Sequence, residues 1–350
     1  MRPTRIRELK MKNSSMTSRV MEARNHFKNE AISKNLISRR IFFGTWTKPV
    51  VMAFVIGIFA LTGCGKGEAF NNDDEAEFTG GLWLKMGDNS IVPTSGIDFY
   101  DVSTHMIYLK KELPYLKKVE GSYGGMMSVY VGNDEIYKCS FHSAIRSYLP
   151  SGAYISCNPL FYGENILRIN FMQFLDENGK PQNTDPRNDK RIIAALKKYR
   201  QYHEGLHCEL KSCNYSNGKL VLNIELYNPD TFNYYHLDPE KMGVGLFHYF
   251  TNGPTFWTVP HTKSYTHQET VIHPEPWNSW KKEWLTLIKS GERKNISITY
   301  NRFDMMPAGK YRMYFGFPGL SYGVSQKDLV QKDGRIWMGS IGIEKDVTIN

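Results

Sequence analysis

The sequence is short of the features that usually name a chemistry. Its 350 residues hold five cysteines, no G-x-x-x-x-G-K-[ST] loop to cradle phosphates and no G-x-G-x-x-G turn for a dinucleotide. No internal repeat is present to build a solenoid or a propeller. Collagen-like, coiled-coil and disordered compositions are absent as well, since 41% of residues are hydrophobic and 13% aromatic, as in globular chains. Charge of one sign is also missing where it would matter. The formal net charge is +9, but residues 1–49 carry twelve of the 44 Lys and Arg against three of the 35 Asp and Glu. Residues 50–63 carry none, so the remainder holds 32 of each and is neutral. Nucleic-acid binding needs a basic footprint on the folded part, so no nucleic-acid partner is expected. The length allows about two domains.

What is present first is an address. After the basic leader, Val50–Leu61 forms an apolar run of twelve residues. That is short of the roughly 20 needed to span a bilayer and fits the ~7–15-residue apolar region of a signal peptide. Leu61-Thr62-Gly63-Cys64 comes next. This tetrapeptide resembles the lipobox of bacterial lipoproteins. The resemblance implies diacylglycerol on the Cys64 sulfur, cleavage between Gly63 and Cys64, and acylation of the new amino terminus. Several acyl chains at ~0.8 kcal/mol per buried CH₂ would hold the chain on a membrane. Residues 65–80 are polar and include Asp73-Asp74-Glu75-Ala76-Glu77, the composition of a flexible tether. This acidic patch resembles surface-export signals of some Gram-negative lipoproteins. The expected location is therefore the bacterial cell envelope, most simply the outer membrane, on either its periplasmic or its surface face. The expected partners are the lipid membrane, through Cys64, and an envelope protein or glycan.

The expected organisation is a signal peptide over 1–63, lipidated cysteine and tether over 64–80, a β-rich α+β domain over 81–207 and a β-sandwich over 208–350. The fold class is mainly β with some α. Strands are expected at Ile97–Tyr100, Met106–Leu109, Met127–Val131, Glu135–Ser140, Ala153–Cys157 and Asn165–Phe174, the last alternating like a half-buried strand. Residues 188–207 read as a helix capped by Asn188 or Asp189, with Ile192, Ile193, Leu196, Tyr199 and His203 at helical spacing. Beyond Glu209, strands are expected at Leu220–Leu226, Gly243–Phe250, Asn295–Tyr300 and Lys310–Phe317. Trp280–Ile288 suits helix or strand equally. Leu220-Val221-Leu222-Asn223-Ile224 and Pro307-Ala308-Gly309-Lys310-Tyr311-Arg312-Met313 resemble the immunoglobulin-like sandwich modules of bacterial envelope proteins, over roughly residues 209–347. Such modules share an architecture and no common site.

Cys64 apart, four cysteines remain: Cys139, Cys157, Cys208 and Cys213. An exported chain can form disulfides, and Cys208–Cys213 with Cys139–Cys157 is the pairing the strand pattern favours. Four buried thiols are the alternative. One motif resembles a catalytic one: His203-Glu204-Gly205-Leu206-His207 matches H-E-x-x-H. On a helix, His203 and His207 would share a face and could bind one zinc, with Glu204 as general base of a hydrolase. Gly205 opposes this, because glycine weakens a helix interior by about 1 kcal/mol. Leu210 and Cys213 also stand where the extended zinc motif needs Gly and His. The competing reading is a helix end with Gly205 as its left-handed cap, no catalysis and no cofactor. His261, His267 and His273 could bind metal or simply line a loop. Trp257, Trp277, Trp280 and Trp284 could form an aromatic platform or pack in a core.

Overall fold

The structure, a computed structural model, describes residues 80–350 apart from 123, 144–149, 151, 159–161, 175–180, 260–261 and 322–323. The leader, the lipobox with Cys64 and nearly all of the tether lie outside these residues.

Alternation drives the first sheet. In β1 (Leu82–Met86), Leu82, Leu84 and Met86 are buried while Trp83 and Lys85 are half-exposed, the period of two that a sheet with one packed face requires. The same alternation runs through β5 (Gly124–Val131) and β6 (Asp134–Ser143), which pair antiparallel. With β2 (Ile91–Val92), β7 (Gly152–Asn158) and β9 (Asn170–Met172), these strands form a six-stranded sheet in the order β2-β1-β5-β6-β7-β9. Helix α1 (Tyr115–Ser122) and helix α2 (Lys190–Lys198) bury Leu116, Val119, Ile192, Ala195 and Leu196 in the same hydrophobic cluster.

The second sheet is β10-β3-β4-β8, made of β10 (Tyr202–His203), β3 (Ile97–Asp101), β4 (Met106–Leu109) and β8 (Ile166–Arg168). All four residues of β4 are buried, and they face two ways. Ile107 and Leu109 join the cluster under the first sheet. Met106 and Tyr108, with Phe99 and Ile166, join a second cluster built otherwise from Leu206 to Ile349. This sheet is thus a middle layer packed on both faces.

The expected strand Asn165–Phe174 is corrected here. It breaks at Ile169 into β8 and β9, which belong to different sheets. The buried Arg187 guanidinium takes the Ile169 carbonyl at 2.8 Å, and the Ile169 N–H donates to His105 O. The expected helix 188–207 is also shorter. Asp189 caps it as anticipated, its side chain accepting from Arg191 N at 2.8 Å. It stops at Lys198, with Arg200 at φ +58°. Gln201 then draws the chain into the middle sheet, Nε2 donating to Thr94 O and Ile97 O at 2.7 and 2.8 Å. The left-handed residue that ends the helix is Arg200, so Gly205 is not its cap.

The C-terminal part has three sheets. One is β11 (His207–Ser216), β12 (Lys219–Tyr227) and β17 (Arg293–Tyr300), in that order. Another runs β15-β14-β18-β21, from β15 (Ser264–Thr266), β14 (Thr255–Thr258), β18 (Gly309–Pro318) and β21 (Ser340–Ile349). The third is β16-β13-β20-β19, from β16 (Leu285–Ile288), β13 (Tyr234–Leu237), β20 (Gly334–Ile336) and β19 (Val330–Gln331). Gly243–Phe250 is not the expected strand. It follows α3 (Pro239–Met242), capped by Asp238, and forms α4 (Val244–Phe247) after Gly243 at φ +72°. Trp280–Ile288 resolves into a 3₁₀ turn, Lys282–Trp284, and β16. The last helix is α5 (Gln326–Leu329). Among the described residues the fold is mainly β, and no helix is long and apolar enough to cross a membrane.

Neither expected disulfide is formed. Cys208 and Cys213 lie on one strand, β11, about 16 Å apart at ~3.3 Å per residue. A disulfide holds its Cα atoms within roughly 7 Å. In the β6–β7 pair Ser140 faces Tyr154 and His142 faces Ser156. Cys139 therefore falls beside Ala153, well short of Cys157 along the strand.

Candidate functional site

The residues of the H-E-x-x-H motif sit where the middle sheet meets the C-terminal part. His203 ends β10, paired in parallel with Asp101 of β3, and His207 begins β11. Helical i, i+4 geometry is therefore absent, and the three polar residues of the motif point to different tasks. Glu204 and His207 form an exposed pair, Oε1 to Nε2 at 3.4 Å. Surface pairs contribute about 0–1 kcal/mol, so Glu204→Gln is expected to shift the urea midpoint by less than about 0.5 kcal/mol equivalent. A larger loss would reveal a role for Glu204 beyond this pair.

His203 is committed inward. Its Nδ1 lies 2.7 Å from Asp230 Oδ1, with side chains 11% and 2% exposed. Phe232 stacks on its ring at 3.7 Å and 15°, and Phe99 meets it edge-on at 5.2 Å. The Asp230 carboxylate is filled. Oδ1 also accepts from Thr231 N, Thr231 Oγ1 and Phe232 N at 2.6, 3.2 and 3.3 Å. Oδ2 accepts from Gly205 N at 3.0 Å and Tyr234 OH at 2.9 Å. Burial pushes the Asp230 pKa up, but the hydrogen bonds from His203 and Gly205 N outweigh it and hold it at about 2. A carboxylate so saturated with donors is a poor proton acceptor and a strong brace.

Asp101 is the opposite case. It is 1% exposed, with Oδ1 taking Ser103 Oγ at 2.6 Å and Thr104 N at 3.2 Å, while Oδ2 has no hydrogen-bond partner among the described residues. Burial lifts its pKa to about 6 against those two hydrogen bonds. The two carboxylates flank Gly205, whose N–H serves Asp230 and whose α-carbon faces Asp101 and Ser103. Their pH effects run in opposite directions. Asp230 has a folded pKa below its unfolded one, so its stabilisation is present above about pH 4 and lost as pH falls through 2. Asp101 has a raised folded pKa, so its contribution is full below about pH 4 and lost as pH rises through 6. Asp101→Asn, which cannot ionise, is expected to remove a fall in stability of about 2–3 kcal/mol between pH 4 and pH 7. Urea unfolding of both proteins across that window measures it, and an unchanged slope would show that Asp101 does not titrate there.

The stack continues beyond His203. Arg335 of β20 lies 4.6 Å from the rings of both Phe99 and Phe232, and Phe99 stacks on Tyr108 at 4.1 Å. Asp101, Asp230 and Arg335 did not stand out in the sequence. Asn228-Pro229-Asp230 reads there only as a turn. Its signal is the Asx geometry, with Asn228 Oδ1 accepting Asp230 N at 3.1 Å and Asn228 fully buried.

The remaining candidates do not assemble into a centre. His267 meets His248 ring to ring at 3.5 Å, His273 meets Tyr249 at 5.1 Å, and His261 lies outside the described residues. Among the described residues no group of three His, Cys, Asp or Glu is placed to hold a metal. Trp280 and Trp284 pack against the larger hydrophobic cluster, and Trp257 sits in β14. Gly319-Leu320-Ser321-Tyr322-Gly323 has the spacing of a G-x-S-x-G nucleophile elbow. Ser321 Oγ donates to Gly319 O at 3.3 Å, and no imidazole hydrogen-bonds it among the described residues. Comparison of the chain with protein-family models, curated proteins and solved structures gives no match, so a functional reading rests on these residues and their geometry.

Proposed function

We propose that this chain is a membrane-anchored lipoprotein of the bacterial cell envelope, held through acylated Cys64, whose folded part binds a partner without catalysis. Basic leader, apolar run and Leu61-Thr62-Gly63-Cys64 stand in the order that export and lipidation require. Binding is favoured over zinc hydrolysis by one observation: His203, the first residue of the motif, is spent on the filled Asp230 carboxylate inside the molecule.

The C-terminal part is read as an immunoglobulin-like sandwich. Strand order supports this. The sheets β11-β12-β17 and β15-β14-β18-β21 follow the A-B-E and C′-C-F-G arrangement of such modules. The connections β12–β14, β15–β17 and β18–β21 supply every strand of the third sheet. In a sandwich of alternating strands these three connections emerge at one end. That end carries the binding loops of variable immunoglobulin domains. Here it carries Phe232 and Arg335, which meet Phe99 of the middle sheet, and Tyr234, which donates to Asp230.

The test is fractionation of cells expressing the wild-type chain and Cys64→Ala. The wild type is expected in the membrane fraction with an acylated amino-terminal cysteine detectable by mass, and Cys64→Ala in the soluble fraction. A wild type that is uncut and unacylated would overturn the reading.

A further inference from the structure

A cavity of about 300 Å³ opens where the middle sheet meets α5, β19 and β20, its wall including Leu109, Lys110, Asn165, Leu329, Val330 and Arg335. Its size is at the lower end of small-molecule sites. Three features of its wall converge on one kind of ligand.

The first is Arg335. Its guanidinium lies 4.6 Å from the centres of Phe99 and Phe232, in the corner these two rings make by meeting edge to face, so part of its freedom is already lost before binding. Of its five N–H donors, only Nη1 has a protein acceptor among the described residues, Asp98 Oδ2 at a long 3.4 Å. The second is Asn165, 5% exposed, a polar side chain that lines the same cavity as Arg335. The third is charge and polarity together. Lys110 and Arg335 outnumber Asp98, so the cavity is net positive, while Leu109, Leu329 and Val330 give it an apolar wall.

We propose that this cavity binds a carboxylate carrying a short apolar chain, with Arg335 and Asn165 holding the carboxylate and Leu109, Leu329 and Val330 covering the chain. A cation would be repelled by Lys110 and Arg335. A sugar would leave Leu329 and Val330 against hydroxyl groups. A dianion would meet Asp98, whereas a single carboxylate matches the planar fork of one guanidinium. The carboxylate can belong to a free organic acid or to the C-terminus of a peptide. This proposal names the ligand class for the binding reading above and rests on it.

The test is calorimetric titration of the full chain in a non-ionic detergent. The probes are 4-methylpentanoate and 4-methylpentanamide, then acetyl-Ala-Ala-Leu with a free and with an amidated C-terminus. At least one carboxylate is expected to bind saturably, in about the millimolar range or tighter, and its amide at least about tenfold more weakly. The member that binds identifies the source. Asn165→Asp, which places a negative charge against the ligand, and Arg335→Gln are each expected to weaken binding at least about tenfold. Thermal melting checks that each variant is folded. Should Arg335→Gln fail to fold, Asn165→Asp decides. Equal binding of acids and amides, no saturation by about 20 mM, or unchanged affinity in folded Asn165→Asp would overturn the proposal. Membrane attachment through Cys64 is read by fractionation, so failure of the ligand and failure of the anchor are separable.

Discussion

Asp230→Ala is expected to destabilise the folded chain by about 3–5 kcal/mol, because several donors at a buried carboxylate lose their acceptor together and each buried one left unmet costs about 1–3 kcal/mol. The mutation strips acceptors from His203 Nδ1, Thr231 N and Oγ1, Phe232 N, Gly205 N and Tyr234 OH at once. Of these residues, Tyr234 is 2% exposed, and a buried donor left unmade costs about 1–3 kcal/mol by itself. Urea unfolding reads the effect as a lower midpoint at unchanged slope. A loss below about 1 kcal/mol would mean that water replaces the carboxylate cheaply, and that the seam is not braced here. His203→Phe is a milder probe of the same brace, because the ring stack with Phe232 at 3.7 Å can persist while the hydrogen bond is lost.

Gly205→Ala is the second large effect. Gly205 has φ +75°, and a Cβ there would overlap Asp101 Oδ1, Ser103 Oγ and Ser103 Cβ, well inside van der Waals contact. The backbone conformation alone costs a non-glycine residue roughly 1–2 kcal/mol. The steric conflict with a buried carboxylate adds to it, so a total of about 3 kcal/mol or more is expected. Gly291→Ala is the control. Gly291 has the same φ of +75° with nothing within 4 Å of its would-be Cβ. The difference between the two variants isolates the contact with Asp101 and Ser103. Equal losses would show that backbone strain accounts for both.

Much of the strand content was legible because alternation is local. Met106–Leu109 agrees to the residue, and Leu220–Leu226 lies within β12. Legibility failed where long-range contacts decide. Ile192, Leu196, Tyr199 and His203 keep helical spacing past the point where Gln201 is captured by Thr94 O and Ile97 O, a hundred residues earlier in the chain. No periodicity encodes that capture. Gly243–Phe250 has the apolar content of a strand, yet it is governed by Gly243 and the Asp238 cap before it. The site was harder still. The motif drew attention to His203, but its partner Asp230 lies 27 positions away and Arg335 reaches the seam from β20. Nothing in the spacing of Asp101, Asp230 and Arg335 marks them as neighbours. Only the pairing of β10 with β3 and the third sheet bring them together.

The two-faced middle sheet has a consequence for how this chain can be divided. Ile107 and Leu109 serve one hydrophobic cluster, and Met106 and Tyr108, from the same four residues, serve the other. Cutting near residue 207 would expose Phe99, Met106, Tyr108 and Ile166 on one piece and strip the other of the floor it folds on. The halves are therefore not beads on a string, to be borrowed or shed singly in evolution. They share one wall, and a protease or a deletion that removes either room brings down the other.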